Sequence, residues 1–202
     1  MANLVTLQQY KDFVGLQGVQ QDAKINVIIS NVSQLVKTYC GTTIIDFAST
    51  NKIEYFNIQR GDDRVILAES PLIQVVSVEE RQSQSDAYVT LITENSDSSG
   101  KYEYIVDTES DSIVRTNSTT TKAFPQGMKA VKVTYKAGYT STPEDLKLAV
   151  FDLVKYYLKD ERKERMSIAG STIENQSSTS LRNNIGFPDH IKRILDLYKL
   201  YS

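Results

Sequence analysis

The chain has 202 residues, of which 40% are hydrophobic and 24% charged, and its formal net charge is −2. Those values fit an ordinary globular protein able to form one domain or two small ones, and they give no electrostatic reason for strong non-specific binding to nucleic acid or an anionic membrane. No apolar run approaches the roughly 20 residues of a spanning helix, the start MANLVTLQQY lacks the basic-then-apolar form of a signal peptide, and the lone Cys40 excludes an internal disulfide framework and fits a reducing cytoplasm.

Thr6-Leu7-Gln8-Gln9 is a capping box, which predicts a short helix with Leu7, Tyr10 and Val14 inward and a stop at Gly15. A second helix is expected from Gln21 to Tyr39, striped by Ile25, Ile28, Ile29, Val32, Val36 and Tyr39. Gly41 stands where a left-handed residue ends it. From Thr43 the texture turns to β. Ile53 and Tyr55 on one side and Val65-Ile66-Leu67 on the other flank Gln59-Arg60-Gly61-Asp62-Asp63, which reads as a hairpin turn. Ser70-Pro71 starts a strand through Val78, proline being tolerated at a strand's first residue. Further strands are expected at Tyr88–Thr93, Tyr102–Val106 and Ile113–Arg115, with polar linkers at Asn95–Gly100 and Asn117–Thr121. Strands so short and so spaced predict an antiparallel sheet or small barrel inserted between helices.

Val131, Val133 and Tyr135 alternate with Lys132, Thr134 and Lys136, the period of a half-buried strand, and Gly138 breaks it. Thr142-Pro143-Glu144-Asp145 then reads as a helix start, with Thr142 as cap and Pro143 in the first helical position. Leu146, Ala149, Val150, Leu153, Val154, Tyr157 and Leu158 form a stripe over more than three turns, and the helix runs out through the charged Lys159–Arg165. This is the predicted central packing helix. Residues Ser167–Asn184 are too polar to build a core and are expected to be a mobile loop, or a hairpin ordered by a partner. Pro188 opens a last helix with Ile191, Ile194, Leu195 and Tyr198 on one side and Leu197, Leu200 and Tyr201 round the other. The fold class expected is α+β: a helical bundle from the N- and C-terminal segments with an inserted antiparallel β region. The expected divisions are a helical pair over 1–42, the β region over 43–136, and the central helix, polar loop and C-terminal helix over 137–202, packing with 1–42.

The candidates for chemistry all read better as structure. His190, the only histidine, sits at a helix start beside Asp189, where a surface residue is the ordinary case. Cys40 has no second cysteine for a metal and reads as a small packing residue at a helix end. Asp107, Glu109 and Asp111 alternate as in a calcium loop, but Ser112 replaces the glycine and Ser118 the bidentate glutamate, so an acidic turn is the better account. Ser99-Gly100-Lys101 lacks the upstream glycine and the following hydroxyl of a phosphate loop. Lys159–Arg165 mixes both signs, as a solvated helix face does. No catalytic residue, cofactor or metal is expected, and the chain does not read as an enzyme.

The order of motifs resembles the phage head–tail connector (adaptor) family, the small portal-binding neck proteins of tailed phages. The resemblance runs from a helical pair ending Tyr39-Cys40-Gly41, through Ser70–Val78 and Val131–Tyr139, to Pro143–Val150 leading into Glu161-Arg162-Lys163. A Ser-rich loop and a short terminal helix after proline complete it. The region Thr43–Lys129 is longer and more polar than in the smaller members. The resemblance implies a virion structural protein that meets the portal protein after DNA packaging, in the host cytoplasm during assembly. It further implies a ring with copies of itself, dodecameric in such adaptors, that extends the DNA channel and offers a surface to a stopper or tail-completion protein. DNA would pass without sequence-specific binding, and no membrane is involved. The rival readings are a tail-completion or stopper protein, which would be mostly β, a nucleic-acid-binding phage protein, which would need a basic face, and a small hydrolase or sugar-binding β domain, for which the sequence offers no constellation of residues. Twelve tyrosines without a tryptophan suit interfaces. The partner surface is expected at Leu181, Ile185, Phe187, Ile191, Leu197, Tyr198, Leu200 and Tyr201, because a helix apolar round so much of its circumference needs more than one partner.

Overall fold

Both ends of the chain form helices because both carry one-sided apolar stripes between sound start and stop signals. The computed structural model describes residues 2–93, 101–159 and 187–200. The chain divides into two units, Met1–Thr43 with Ser141–Ser202, which is helical, and Ile44–Thr140, which holds the strands. The fold is α+β, with the β region inserted between the helices of the chain's two ends, as the sequence predicts.

In the helical unit α1 (Leu7–Val14) opens on the expected capping box. Thr6 Oγ1 accepts from the Gln9 N–H at 3.2 Å and Gln9 Oε1 accepts from the Thr6 N–H at 2.9 Å. α2 (Asp22–Cys40) ends at Gly41, whose φ of 73° is left-handed. Ile25, Ile29, Val32 and Val36 of α2 are buried, as are Leu146, Ala149, Val150, Leu153 and Val154 of α3 (Glu144–Leu158). Tyr10 and Phe13 both bring their rings to Phe151, with centroids 6.1 and 4.8 Å away. The segment before α1 is tied down by polar groups of the helices. Leu4 N–H donates to Ser33 Oγ at 3.0 Å, and Lys37 Nζ donates to the Ala2 carbonyl at 2.8 Å.

Thr142 corrects the expectation of a cap. The N-cap position is Pro143 and has no side-chain hydrogen bond, while the buried Thr142 hydroxyl donates to the Leu4 carbonyl at 2.6 Å. A buried carbonyl left without a donor is expensive, whereas the first amides of α3 have acidic Glu144 and Asp145 beside them. Of the charged run after this helix only Lys159, its C-cap, is among the described residues; the rest of it and the expected loop at 167–184 lie outside them.

Among the described residues the strands of the β unit form two antiparallel sheets rather than a single one. The first is four-stranded, in the order β1 (Lys52–Ile58), β7 (Gly127–Ala137), β3 (Leu72–Glu80), β4 (Val89–Thr90). The second is three-stranded, in the order β2 (Arg64–Ile66), β6 (Ser112–Arg115), β5 (Tyr104–Asp107). Gln59–Asp63 does turn, with Gln59 N–H donating to Asp62 Oδ2 at 2.8 Å, but it is not a hairpin. β1 pairs with β7 and β2 with β6, so the turn carries the chain from one sheet to the other. The long strand β7 supplies a full-length partner for β1, which the three residues of β2 could not. The strand expected at 88–93 shrinks to Val89–Thr90, paired with Glu79 and Glu80 of β3, and Thr93 bridges Tyr104 instead. The linker at 95–100 lies outside the described residues.

The core of this unit is built from Val131, Val133 and Tyr135 of β7, with Val78, Val65 and Ile113 from the other strands and Leu67 just after β2. β1 turns its apolar side outward. Ile53 and Tyr55 are 53% and 48% exposed, while Lys52, Glu54 and Phe56 turn to the half-buried side. The reason is polar. Glu54 Oε2 accepts from the hydroxyl of the fully buried Tyr135 at 2.7 Å, and Lys52 pairs with Glu69 at 3.4 Å.

Candidate functional site

The last helix carries the sequence-derived candidates, and its placement follows from three anchors. α4 (Asp189–Asp196) starts after Pro188, and it packs against α2 and α3. Phe187 stands just before it with 2% of its surface exposed, edge-on to the Tyr39 ring at 5.2 Å. Ile191 and Leu195, one turn apart, are 1% and 0% exposed. These three apolar side chains close the core of the helical unit.

Polar contacts fix the helix at its edges. Tyr39 hydroxyl donates to Asp196 Oδ1 at 2.5 Å, and Tyr198 hydroxyl donates to Asp145 Oδ1 at 2.6 Å. Leu200 N–H donates to the Cys40 carbonyl at 2.9 Å, and Lys199 Nζ lies 5.1 Å from the centre of the Tyr39 ring. Cys40 itself is fully buried, with its thiol 3.7 Å from the Leu195 carbonyl. Burial, then the nearby Asp196, push that thiol's pKa up to about 12, against a smaller opposing pull from Lys199. A thiol so placed is a packing group rather than a nucleophile.

The candidates therefore divide. Phe187 and Ile191 are core, Tyr198 and Leu200 are half-buried at the rim, and Leu197 is 76% exposed. Leu181, Ile185 and Tyr201 lie outside the described residues. His190 is exposed in the first turn of α4. Among the described residues no three His, Cys, Asp or Glu side chains gather as a metal site would require, and no helix is long and apolar enough to cross a membrane. The acidic turn holds as a turn: Asp107 accepts from Ser110 and from the Glu109 N–H, bonds that lower its pKa.

Sequence reasoning missed Tyr39, Asp145 and Asp196 as the residues that hold α4 in place. Tyr39 was legible as part of the α2 stripe, but its partner 157 positions on has no local signal.

Residues 3–201 match the head completion protein family. The chain belongs to that family. It is a family of structural proteins of the bacteriophage head, not of enzymes. The head completion protein of Escherichia phage T5 is 21% identical over 196 residues, covering 97% of this chain and 98% of that one. Solved structures share the fold of this family member. One is the neck of a native gene transfer agent particle computed with C12 symmetry, at 14% identity and a TM-score of 0.58, covering 100% of this chain and 96% of the other. Another is the neck of an empty particle computed with C6 symmetry, at 14% identity and a TM-score of 0.56, covering 98% and 91%.

Proposed function

We propose that this chain is a head–tail connector of the phage neck, which binds the portal after packaging, continues the DNA channel as a ring and offers the surface on which a stopper or tail attaches. The observation that carries the reading is the family match over 3–201, supported by a fold shared along nearly its whole length with neck proteins. The mechanism is assembly. No reaction is required of any residue.

The C-terminal segment from about Leu181 is the portal-docking element in this reading. Phe187 and Ile191 serve by fixing α4 in the core, which leaves Leu197 and the rim residues Tyr198 and Leu200 to meet the partner, with Leu181, Ile185 and Tyr201 contributed by the flanking chain. An apolar residue as exposed as Leu197 beside a rigid helix is the form an interface anchor takes. The isolated protein is expected to be a monomer or a weak oligomer that closes into a ring on the portal, since its modest apolar content does not suit a large obligate interface.

The experiment is co-sedimentation of purified protein with purified portal, followed by electron microscopy. Leu197→Asp is expected to keep the melting temperature and lose binding. Leu195→Ala is expected to lower stability, and it controls for loss of fold. Wild-type protein that fails to bind portal sinks the connector reading, and Leu197→Asp that still binds sinks the docking assignment alone.

A further inference from the structure

The outer face of the four-stranded sheet carries a built cluster that the docking helix does not use. Near the start of β7, Lys129 adopts a φ of 50°, a left-handed conformation that a non-glycine residue keeps only where its surroundings hold it. They do so from several directions. Lys129 N–H donates to Asn57 Oδ1 at 2.8 Å, and the Lys129 carbonyl accepts from Arg81 Nε at 3.1 Å and from the Tyr88 hydroxyl at 2.6 Å. Arg81 Nη2 donates to the Met128 carbonyl at 3.1 Å, and the Arg81 N–H to the Ala130 carbonyl at 2.9 Å.

What this clamp presents is apolar and aromatic, framed by cations. Met128 is 63% exposed, and Tyr55 and Ile53, two residues apart on β1, are about half exposed. The Tyr55 and Tyr88 rings lie 6.2 Å apart. Arg81 stands over Tyr88 at 4.9 Å, Lys129 over Tyr55 at 5.6 Å and Lys132 over Tyr88 at 5.8 Å. The acid in the cluster is Glu79, which pairs with Lys132 at 2.9 Å. Exposed methionine, isoleucine and tyrosine with arginine have the composition of an interface centre between proteins, whereas a phosphate-tracking face has no use for the apolar groups.

Charge selects the partner. With three cations to one acid the face is positive, in a chain whose net charge is −2, so the rest of the chain is more acidic than the whole. A closed ring of identical copies joins two unlike patches of the same chain at every contact. We infer that the sheet face around Tyr55, Met128 and Lys129 is one half of the head-to-tail contact between copies, and that it receives an acidic surface of a second copy. This inference rests on the ring reading above and assigns a surface to it.

The test places a photo-crosslinking amino acid at Met128, and separately at Tyr55, in particles assembled in phage-producing cells. Purified particles are first assayed for the chain, and irradiation then shows what it has captured. An adduct of twice the chain's own mass from both positions is expected, with none from Ile66, which is 68% exposed on the other sheet. Lys129→Glu is expected to reduce that adduct about ten-fold through like-charge repulsion at the contact. Particles that contain the chain but yield no self-adduct from either position, or an adduct with another protein or with DNA, overturn the assignment. A chain absent from the particles overturns the neck reading, and this inference with it.

Discussion

Arg115 of the three-stranded sheet and Glu80 of the four-stranded sheet meet in a two-bond ion pair, Nε to Oε2 at 2.9 Å and Nη2 to Oε1 at 3.0 Å. Arg115 is 2% and Glu80 7% exposed, and Arg115 Nη1 donates to the carbonyls of Glu103 and Thr116 at 2.7 and 2.8 Å. The pair stitches the two sheets together. Removing one partner strands a buried charge, so Arg115→Met is expected to cost about 3–5 kcal/mol in urea denaturation. Arg115→Met with Glu80→Leu should cost less than Arg115→Met alone, because the carboxylate left behind, Glu103, is solvent-accessible rather than buried. A double variant at least as destabilised as the single one refutes this account of the pair.

Tyr135 contributes to an alkaline pH dependence, alongside the raised Cys40 thiol. Desolvation by burial, then its hydrogen bond to Glu54, raise its pKa above the ordinary phenol value of 10.0. The unfolded chain therefore loses this proton first as pH rises. The stabilisation is complete below about pH 10 and is lost as pH climbs beyond it. Urea midpoints are expected to fall between pH 9 and pH 11, and to fall less in Tyr135→Phe. At pH 7 that variant should cost about 1 kcal/mol, since it removes the shorter of two hydrogen bonds to Glu54 Oε2 and leaves the one from the Ala68 N–H. An identical alkaline slope in both proteins would rule out Tyr135 as a source.

Gly138 faces the Ile44 carbonyl so closely that an added Cβ would lie 2.3 Å from its oxygen, and its φ is 98°. Gly138→Ala meets both the strain of that φ and a clash with backbone. The expected cost is at least about 1–3 kcal/mol. Gly61, with a φ of 95° and open space around its Cβ position, serves as the comparison. If Gly61→Ala lowers the melting temperature as much as Gly138→Ala does, backbone contact is not the cause.

Leu153 is fully buried on α3, and Leu153→Ala is expected to cost about 2–5 kcal/mol by the loss of buried surface and the cavity left behind. A cost under about 0.5 kcal/mol, the usual surface value, would remove that face from the core.

Cys40 lies beneath α4, so its thiol reports on that helix. Native protein at pH 8 is expected to resist a thiol reagent, and Leu195→Ala to speed labelling by loosening the cover. Equal rates in both would show that α4 does not guard the thiol.

Local signals carried the helical ends of the chain far. The Thr6–Gln9 capping box, the glycine stops at Gly15 and Gly41 and the stripes of α2 and α3 all appear where the sequence puts them, since each rests on contacts within a few residues. The last helix was legible as a helix, but not which of its apolar faces turns inward. Ile191 and Leu195 were chosen for burial by α2 and α3, and Leu197 was left outside.

In the β region the sequence determined that strands form, and the central one, Val131–Tyr135, shows its buried side in its own alternation. Only the tertiary structure decided how they pair. A turn such as Gln59–Asp63 looks the same whether it closes a hairpin or crosses between sheets, because the difference lies in β7 and β6, some fifty residues or more away. The facing of β1 was likewise decided at a distance. Lys52-Ile53-Glu54-Tyr55 offers an apolar and a charged side, and alternation favours burying the apolar one. Tyr135 brings a buried hydroxyl that needs an acceptor, Glu54 supplies it, and Ile53 and Tyr55 turn out to the surface where a partner can reach them.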